Sequence, residues 1–476
     1  MPHINYKIHR RQFYIGRQPK LLDDSWQSHP LQNGLILSYS NELQINFIKD
    51  KSGNHLVLMG YAVQSVAAEP APEEALAQLT STENLQEVYK SWSGRWLLLV
   101  NDEVHLDATA MLGLFYKVTD DGVEAASTAG FLAGSFVPDT FKLVKNVGAD
   151  YYPPPDSGFK GVSKLLPTQI LNLTTGEIKF RNLHVSIPQL TYDETMDLAA
   201  QLLKTTLANA YADNGNKKWM LALTGGNDSR ILLATLLACN IPFEIFTFDY
   251  PNINPNDVRI PRALAKIAGK KYTLVKRRGK VLQNWEAYNL HTSGHSVEND
   301  RNYVTYRQFD QLEGDNTFLL RGNCFEISRR YYHKWFGPEV PDGEKISATV
   351  KGNQQQAQSW SKWLDWFYKT PQVTMDWRER FFIEQRLAGW HASTEQALDM
   401  INIDRLVPAN SFLFYNIHMA LPEEIRKTKA PVTDLLNRLA PQVLQVPINP
   451  PLSYYYKQYR RVLFKINKIK QKLTGA

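Results

Sequence analysis

Apolar residues fall along this chain in two rhythms. Up to about residue 190 the apolar runs are short, at Leu35 to Tyr39, Leu43 to Ile48, Leu56 to Val63 and Trp96 to Val100, with turn clusters such as Lys51-Ser52-Gly53-Asn54 between them. Short runs bounded by turn residues predict antiparallel strands. Glu69 to Leu79, rich in Ala and Glu, and Glu83 to Ser91 predict helices, which makes this portion a layered α+β unit. Past residue 190 the rhythm lengthens. Thr191, with Glu194 three residues on, stands as a helix cap before the apolar face of Met196, Leu198, Ala199, Leu202 and Leu203. Strands are predicted at Trp219 to Leu223, Phe243 to Phe248, Tyr272 to Val275 and Phe318 to Leu320, alternating with helical stretches, as in a parallel sheet with helices on both faces. Ligands of such sheets sit beyond the carboxyl ends of the strands, where the Thr224 turn and Thr247 to Tyr250 both fall.

The richest chemistry lies at that first turn. The apolar run Trp219 to Leu223 meets the polar turn Thr224-Gly225-Gly226-Asn227-Asp228-Ser229, and an apolar helical stretch, Ile231 to Cys239, follows. Strand, glycine loop and helix in that order form a phosphate-binding unit: the glycines let the backbone approach an anion, Thr224 and Ser229 add hydroxyls, and the helix amides add partial positive charge. Asp228 would repel an anion unless a cation lay between them, so it reads as a Mg²⁺ ligand bridging to pyrophosphate. The plain alternative is a Gly-Gly turn ahead of a buried helix. The loop is not a Walker A loop, because no Lys follows the second Gly and the spacing is too short. It resembles instead the Ser-Gly-Gly-x-Asp-Ser loop of the N-type ATP pyrophosphatases (PP-loop), with Thr224 in place of the first Ser.

Further pieces resemble the asparagine synthetase and β-lactam synthetase family. Ser93 to Asp102, Leu114-Phe115-Tyr116 with Ala125-Ala126-Ser127-Thr128, and Tyr151 to Leu171 are similar to strands of its glutaminase-like N-terminal domain. Phe318 to Glu326 is similar to its strand followed by Gly-x-Gly-x-Asp, and Asp404 to Asn410 with Ala420-Leu421-Pro422 to its Glu-x-Arg-x-Pro and Ala-x-x-Leu-Pro segments. The resemblance implies an α/β chain of two domains: a layered N-terminal-nucleophile-hydrolase-like α+β domain over 1–190, and an adenine-nucleotide-hydrolase-like, parallel-sheet synthetase domain over 191–476. It implies adenine near the backbone of Phe246 to Phe248, so Phe248 joins Thr224, Gly225, Gly226, Asp228 and Ser229 as an ATP-binding residue, and it makes Glu326 the second Mg²⁺ ligand beside Asp228. For Glu326 a surface salt bridge is the other reading, and for Phe248 a buried aromatic strand. Asp257 fits an acidic family position at a helix head, where capping explains it equally well.

The departures bear on function. The chain begins Met1-Pro2-His3 and has no Cys before Cys239, so the glutaminase nucleophile, an N-terminal Cys, is missing and glutamine is not cleaved this way. Asn323 stands where asparagine synthetases carry Glu and β-lactam synthetases Tyr, and Asn cannot act as a base. Tyr331, Tyr332, His333 and Glu384 are the alternatives, for each of which core or surface packing is the other reading, and Glu384 is taken as the catalytic candidate beside Asp228. The family's phosphate-contacting Lys is replaced by Gln445 to Pro451, with Lys457 and Arg460 beyond it. Trp360, Trp363, Trp366, Phe367 and Tyr368 form an aromatic stripe read as core or lid, and Asn353 to Gln356 a solvated loop or helix start.

Composition narrows the picture. With 476 residues, 43% of them hydrophobic, the chain can hold two or three domains around a sizeable core. Two cysteines, Cys239 and Cys324, give no disulfide or metal spacing and suit a reducing cytosol; no signal-peptide order or membrane-length apolar run occurs, so a cytoplasmic protein is expected. The net charge of +7 is dispersed except at Arg460 to Lys472, which reads as a solvated terminal helix or as a peripheral contact with an anionic membrane or polyanion. No nucleic-acid partner is expected, a tRNA-modifying enzyme would leave residues 1–190 unexplained, and a homodimer stays open. The expected function is an AMP-forming ligase: ATP with Mg²⁺ adenylates a carboxylate of a small molecule, peptide or sugar acid, and an amine then takes the acyl group. The alternative is a catalytically degenerate ATP-binding partner or scaffold.

Overall fold

A computed structural model describes residues 7–133, 149, 151–249, 253–276, 285–293, 308–309, 311–312, 316–370 and 375–452. The start of the chain and the basic stretch Arg460 to Lys472, with Lys457, lie outside the described residues.

Among the described residues, the strands between Phe13 and Phe180 form two antiparallel sheets of six strands each. One contains Phe13–Gly16 and Ile36–Ser40; the other centres on the paired long strands His55–Gln64 and Trp92–Val100. Side chains of a strand alternate between faces, and here both faces of the second sheet are buried. Val57, Met59, Leu97 and Leu99 pack against Phe13, Ile15 and Leu37 of the first sheet, while Leu56, Leu58, Trp96 and Leu98 join a core that also holds Leu203, Leu207 and Trp219. One continuous apolar core therefore links the antiparallel and parallel portions. The layered sheets match the expectation, but the α-helices between their strands are only Pro72–Ala77 and Leu85–Tyr89 among the described residues. An N-terminal-nucleophile-type arrangement of long helices over both sheets is not seen there.

The helix Tyr192–Asn214 begins as expected. Thr191 Oγ1 accepts from the Glu194 amide at 3.3 Å, and Glu194 returns the bond by accepting from the Thr191 amide at 2.8 Å. Behind it lies a five-stranded, wholly parallel sheet in the spatial order Tyr272–Val275, Glu244–Phe248, Lys218–Ala222, Thr317–Leu320, Ile403–Leu406. In chain order the strands run 3-2-1-4-5, so the direction of winding reverses between Lys218–Ala222 and Thr317–Leu320. Leu221 pairs with Leu320, so the loops leaving those strands start level and open a crevice between them. No helix among the described residues is long and apolar enough to cross a membrane.

Trp360 and Trp363 are fully buried, so the aromatic stripe is core there, while Tyr368 is exposed. Asn353 and Gln356 form a capping box at the head of the helix Gln354–Lys369. The amide-rich run is thus the helix start, one of its two readings, with Gln356 alone of its residues buried and bonded to the Ala149 carbonyl at 3.2 Å.

Candidate functional site

Two loops meet at the reversal point. The first, Thr224 to Ser229, leaves the central strand and enters the helix Asp228–Ala238. The Ser229 hydroxyl accepts from the Thr224 amide at 3.1 Å and lies 3.2 Å from Thr224 Oγ1, so the hydroxyls that frame the loop close it on itself. Thr224 Oγ1 also accepts from the Gly226 amide at 3.3 Å, and Asp257 Oδ1 accepts from the Gly225 amide at 2.9 Å. Asp257, in the first turn of the helix Asn256–Ile267, thus holds the loop and makes no cap on its own helix. Neither loop glycine takes a positive φ. Gly225 is needed for space: a Cβ there would lie 3.1 Å from Asn449 Oδ1 and 3.2 Å from both the Asn256 carbonyl and Asp257 Oδ1.

No side chain caps the helix Asp228–Ala238, since Asn227 at its N-cap makes no such bond. First-turn amides have no partner within a helix, and they carry the positive end of its dipole. That end faces the second loop. Gly322 lies so close that a Cβ on it would be 3.0 Å from the Ser229 amide nitrogen. After Gly322 the chain turns through Cys324, at φ 75°, into a short 3-10 turn, Phe325–Arg329, that carries Glu326 and Arg329.

Asp228, Glu326 and Arg329 form the charged centre. Arg329 Nη2 reaches both Asp228 oxygens, at 2.6 and 2.9 Å. Burial raises the Asp228 pKa, the Glu326 carboxylate raises it further, and the Arg329 guanidinium opposes both. Glu326 Oε2 is buried with no hydrogen-bond partner among the described residues. Two neighbouring carboxylates, one with an orphaned oxygen, fit a hard divalent cation, which Mg²⁺ proteins commonly hold through one or two carboxylates plus phosphate oxygens. Among the described residues no group of three or more His, Cys, Asp or Glu side chains is arranged for a metal, so such an ion would depend on a phosphate ligand.

The segment Gln445 to Pro451 roofs the loop. Asn449 N donates to the Gly225 carbonyl at 3.2 Å, and Asn256 Nδ2 donates to the Pro450 carbonyl at 2.7 Å. Arg230, buried in the loop helix, fixes this roof by donating to the carbonyls of Val443 (3.2 Å), Val446 and Pro447 (3.1 Å). Burial lowers its pKa to about 10.

The other expected residues lie elsewhere in role. The Phe248 ring is buried against Phe246 and Phe309, with centroids 5.1 and 4.7 Å away, so only its backbone is left to face a nucleotide. Glu384 is fully buried and accepts from Trp363 Nε1 at 2.8 Å, from Arg380 Nε at 2.9 Å and from the Thr168 hydroxyl. It is a saturated structural carboxylate with no partner in either loop, and the expectation of a catalytic base is corrected. Tyr332 is buried among Trp335, Phe336 and Phe381, and His333 lies 3.7 Å from Asp376. Burial also holds the Cys324 thiol well above its ordinary pKa. Sequence reasoning missed Arg329, Arg230 and Asn449. For Arg329 a signal existed, a basic residue one turn after Glu326, but an Arg at that spacing reads as surface charge until the turn's direction is known.

No protein-family model matches the chain, and no curated protein does. Among solved structures it is similar to the glutamine-dependent NAD+ synthetase from Acinetobacter baumannii in complex with adenosine diphosphate, at 12% identity and a TM-score of 0.22, over 45% of this chain and 39% of that one. It is likewise similar to the NMN synthetase from Francisella tularensis, at 11% identity and a TM-score of 0.22 over 40% and 92% of the two chains. A glutamine-dependent NAD(+) synthetase from Cytophaga hutchinsonii gives 11% and 0.22 over 47% and 46%. Likeness this slight leaves the functional reading to the geometry of the site itself.

Proposed function

We propose that this chain is an ATP-dependent, AMP-forming amide ligase. The observation that carries the reading is the uncapped N-terminus of the helix Asp228–Ala238, set in the crevice where the parallel sheet reverses and faced by Asp228 and Glu326. The Thr224 and Ser229 hydroxyls, the Gly225 and Gly226 backbone and the first helix amides would hold the β- and γ-phosphates, with adenine along the backbone at Phe248. Asp228 and Glu326 would hold Mg²⁺, which when bound neutralises triphosphate charge and makes pyrophosphate a better leaving group.

In the reaction a substrate carboxylate oxygen attacks the α-phosphorus and pyrophosphate leaves; an amine then attacks the acyl carbon and AMP leaves. A free carboxylate is a poor acyl donor, and the mixed anhydride with AMP supplies the missing activation. The donor would be a small molecule, peptide or sugar acid. The amine would be free ammonia, a separate amine or a group on the donor itself.

A second reading, an ATP-binding scaffold, draws on the Arg329–Asp228 pair, which fills the carboxylate with a protein cation. One experiment separates the two: exchange of labelled pyrophosphate into ATP with Mg²⁺ over a panel of amino acids, peptides and uronic acids, with Asp228→Ala as control. Exchange that depends on one carboxylate and vanishes in the variant supports the ligase. ATP binding by calorimetry without exchange on any donor supports the scaffold, and no ATP binding overturns both.

A further inference from the structure

The phosphates of ATP bring four negative charges to this crevice, and the roof above the loop answers them with carbonyls and amides. Among the described residues Gln445 to Leu452 contain no Lys or Arg, whereas Arg329 already reaches the site. Arg329 and Arg330 are adjacent yet diverge. Arg330 takes φ 53°, which breaks the 3-10 turn and sends its guanidinium to Glu423, 2.8 Å away on the far helix, while Arg329 turns inward to Asp228. The Arg329 side chain remains about one-third exposed, so it is not locked by packing, and its Nε is buried without an acceptor among the described residues. It thus combines a donor in waiting with freedom to move.

We propose that Arg329 is an exchangeable counter-ion that pairs with Asp228 in the free protein and turns to the phosphates when a divalent cation takes the two carboxylates, so supplying the positive charge that the roof lacks. The inference rests on the ligase reading above. Its physical basis is competition: the guanidinium and the divalent cation are drawn to the same Asp228 oxygens, and two positive charges on one carboxylate repel each other. A planar guanidinium also suits bidentate contact with phosphate oxygens better than a Lys ammonium does. Arg329 would then touch substrate, which makes it a catalytic residue of the adenylation step, acting on the charge that grows on the departing pyrophosphate.

Competition makes a prediction that a structural role does not: removing Arg329 should move two affinities in opposite directions. Arg329→Gln, Arg329→Lys and the wild type are compared by Mn²⁺ binding to the nucleotide-free protein, read by electron paramagnetic resonance, and by calorimetry of inorganic pyrophosphate with Mg²⁺. Arg329→Gln is expected to bind Mn²⁺ about tenfold tighter and pyrophosphate at least about tenfold weaker, with Arg329→Lys between. Both affinities unchanged, or both weakened together, would overturn the role of Arg329. If pyrophosphate affinity falls instead in Lys457→Gln with Arg460→Gln and not in Arg329→Gln, the phosphate charge comes from the C-terminus and the proposal fails. A wild-type protein that binds neither pyrophosphate nor ATP overturns the ligase reading first, which separates that failure from the failure of Arg329 alone.

Discussion

Gly322 sits against Ser229: a Cβ on the glycine would stand 3.0 Å from the serine's amide nitrogen and 3.2 Å from its Cα. That contact joins the loops that leave two strands adjacent in space but about a hundred residues apart in sequence, and both neighbouring atoms are backbone, which cannot turn aside as a side chain can. Gly322→Ala should therefore push the Glu326 loop off the helix N-terminus. Overpacking of this kind typically costs about 1–3 kcal/mol. The expected outcome is a lowered urea midpoint together with a nucleotide affinity reduced further than Gly226→Ala reduces it, because a Cβ on Gly226 meets nothing closer than Thr224 Oγ1 at 3.4 Å. Equal losses in the two variants would show that the closeness of the loops does not govern binding.

Arg230 anchors the roof through three backbone carbonyls from inside the core. Arg230→Met keeps much of the apolar stem but leaves those carbonyls without their donor, at about 1–3 kcal/mol for each group that water does not reach. Amide hydrogen exchange is the direct readout: the Asn449 amide, bonded to the Gly225 carbonyl, should lose protection in the variant while the helix Tyr192–Asn214 keeps its own. Unchanged protection at Asn449 would mean the roof holds itself.

The parts of this architecture that the sequence makes legible are those in which one element satisfies itself. Lys218–Ala222, Glu244–Phe248 and Tyr272–Val275 announce themselves as apolar runs, and Thr191 with Glu194 announces a helix start within four residues. Ile403–Leu406 does not, because its two middle residues are Asp404 and Arg405. They are tolerated in a sheet since Arg405 meets Glu395 at 2.5 Å and Asp399 at 2.7 Å, and Asp404 meets Arg11 at 2.8 Å, partners that only the fold brings near. Glu384 misled for the same reason. A carboxylate in an apolar stretch reads as poised chemistry until Trp363, Arg380 and Thr168 are seen around it. In the site the loop was legible and the orientation of Arg329 was not, because that depends on the left-handed residue after it.

Acid should unlock the antiparallel and parallel portions from each other. Arg95 of the second antiparallel sheet binds Asp399 at 2.9 and 2.7 Å. Burial alone would raise the Asp399 pKa, but Arg95 and then Arg405 outweigh it and bring it down to about 2. The folded value is thus below the unfolded value of about 3.9, so the stabilisation is complete above about pH 5 and is lost as pH falls toward 2, at roughly 2–3 kcal/mol in all. His291 acts in the same sense at higher pH. It is buried, accepts from the His9 amide at 2.9 Å and has its pKa lowered by burial to about 3, so its neutral form costs stability progressively as pH drops below about 6.5. Denaturant titrations from pH 8 to 4 should show stability falling first below pH 6.5, and His291→Gln should lessen that first fall by its share, since burial lowers His9, His105, His391 and His418 in the same way. An unaltered profile in the variant would assign the acid sensitivity elsewhere.

The cap at Thr191 offers a test of how firmly the helix Tyr192–Asn214 is set. Thr191 and Glu194 share three hydrogen bonds at its head, all on exposed residues. Thr191→Ala removes the side-chain acceptor and leaves the Glu194 amide to water, at about 1 kcal/mol. Further along, the same helix bonds to the antiparallel portion: Thr206 Oγ1 donates to Ser65 Oγ at 2.9 Å, and Asn209 Nδ2 donates to the Gln64 carbonyl at 2.9 Å. Loss of the cap should therefore fray only the first turn. Hydrogen exchange should quicken at residues 192–195 and stay unchanged at residues 202–210, with the thermal midpoint lowered by a few degrees at most. Exchange that quickens along the whole helix would show that its docking depends on the cap, and that the contacts at Thr206 and Asn209 do not hold it independently.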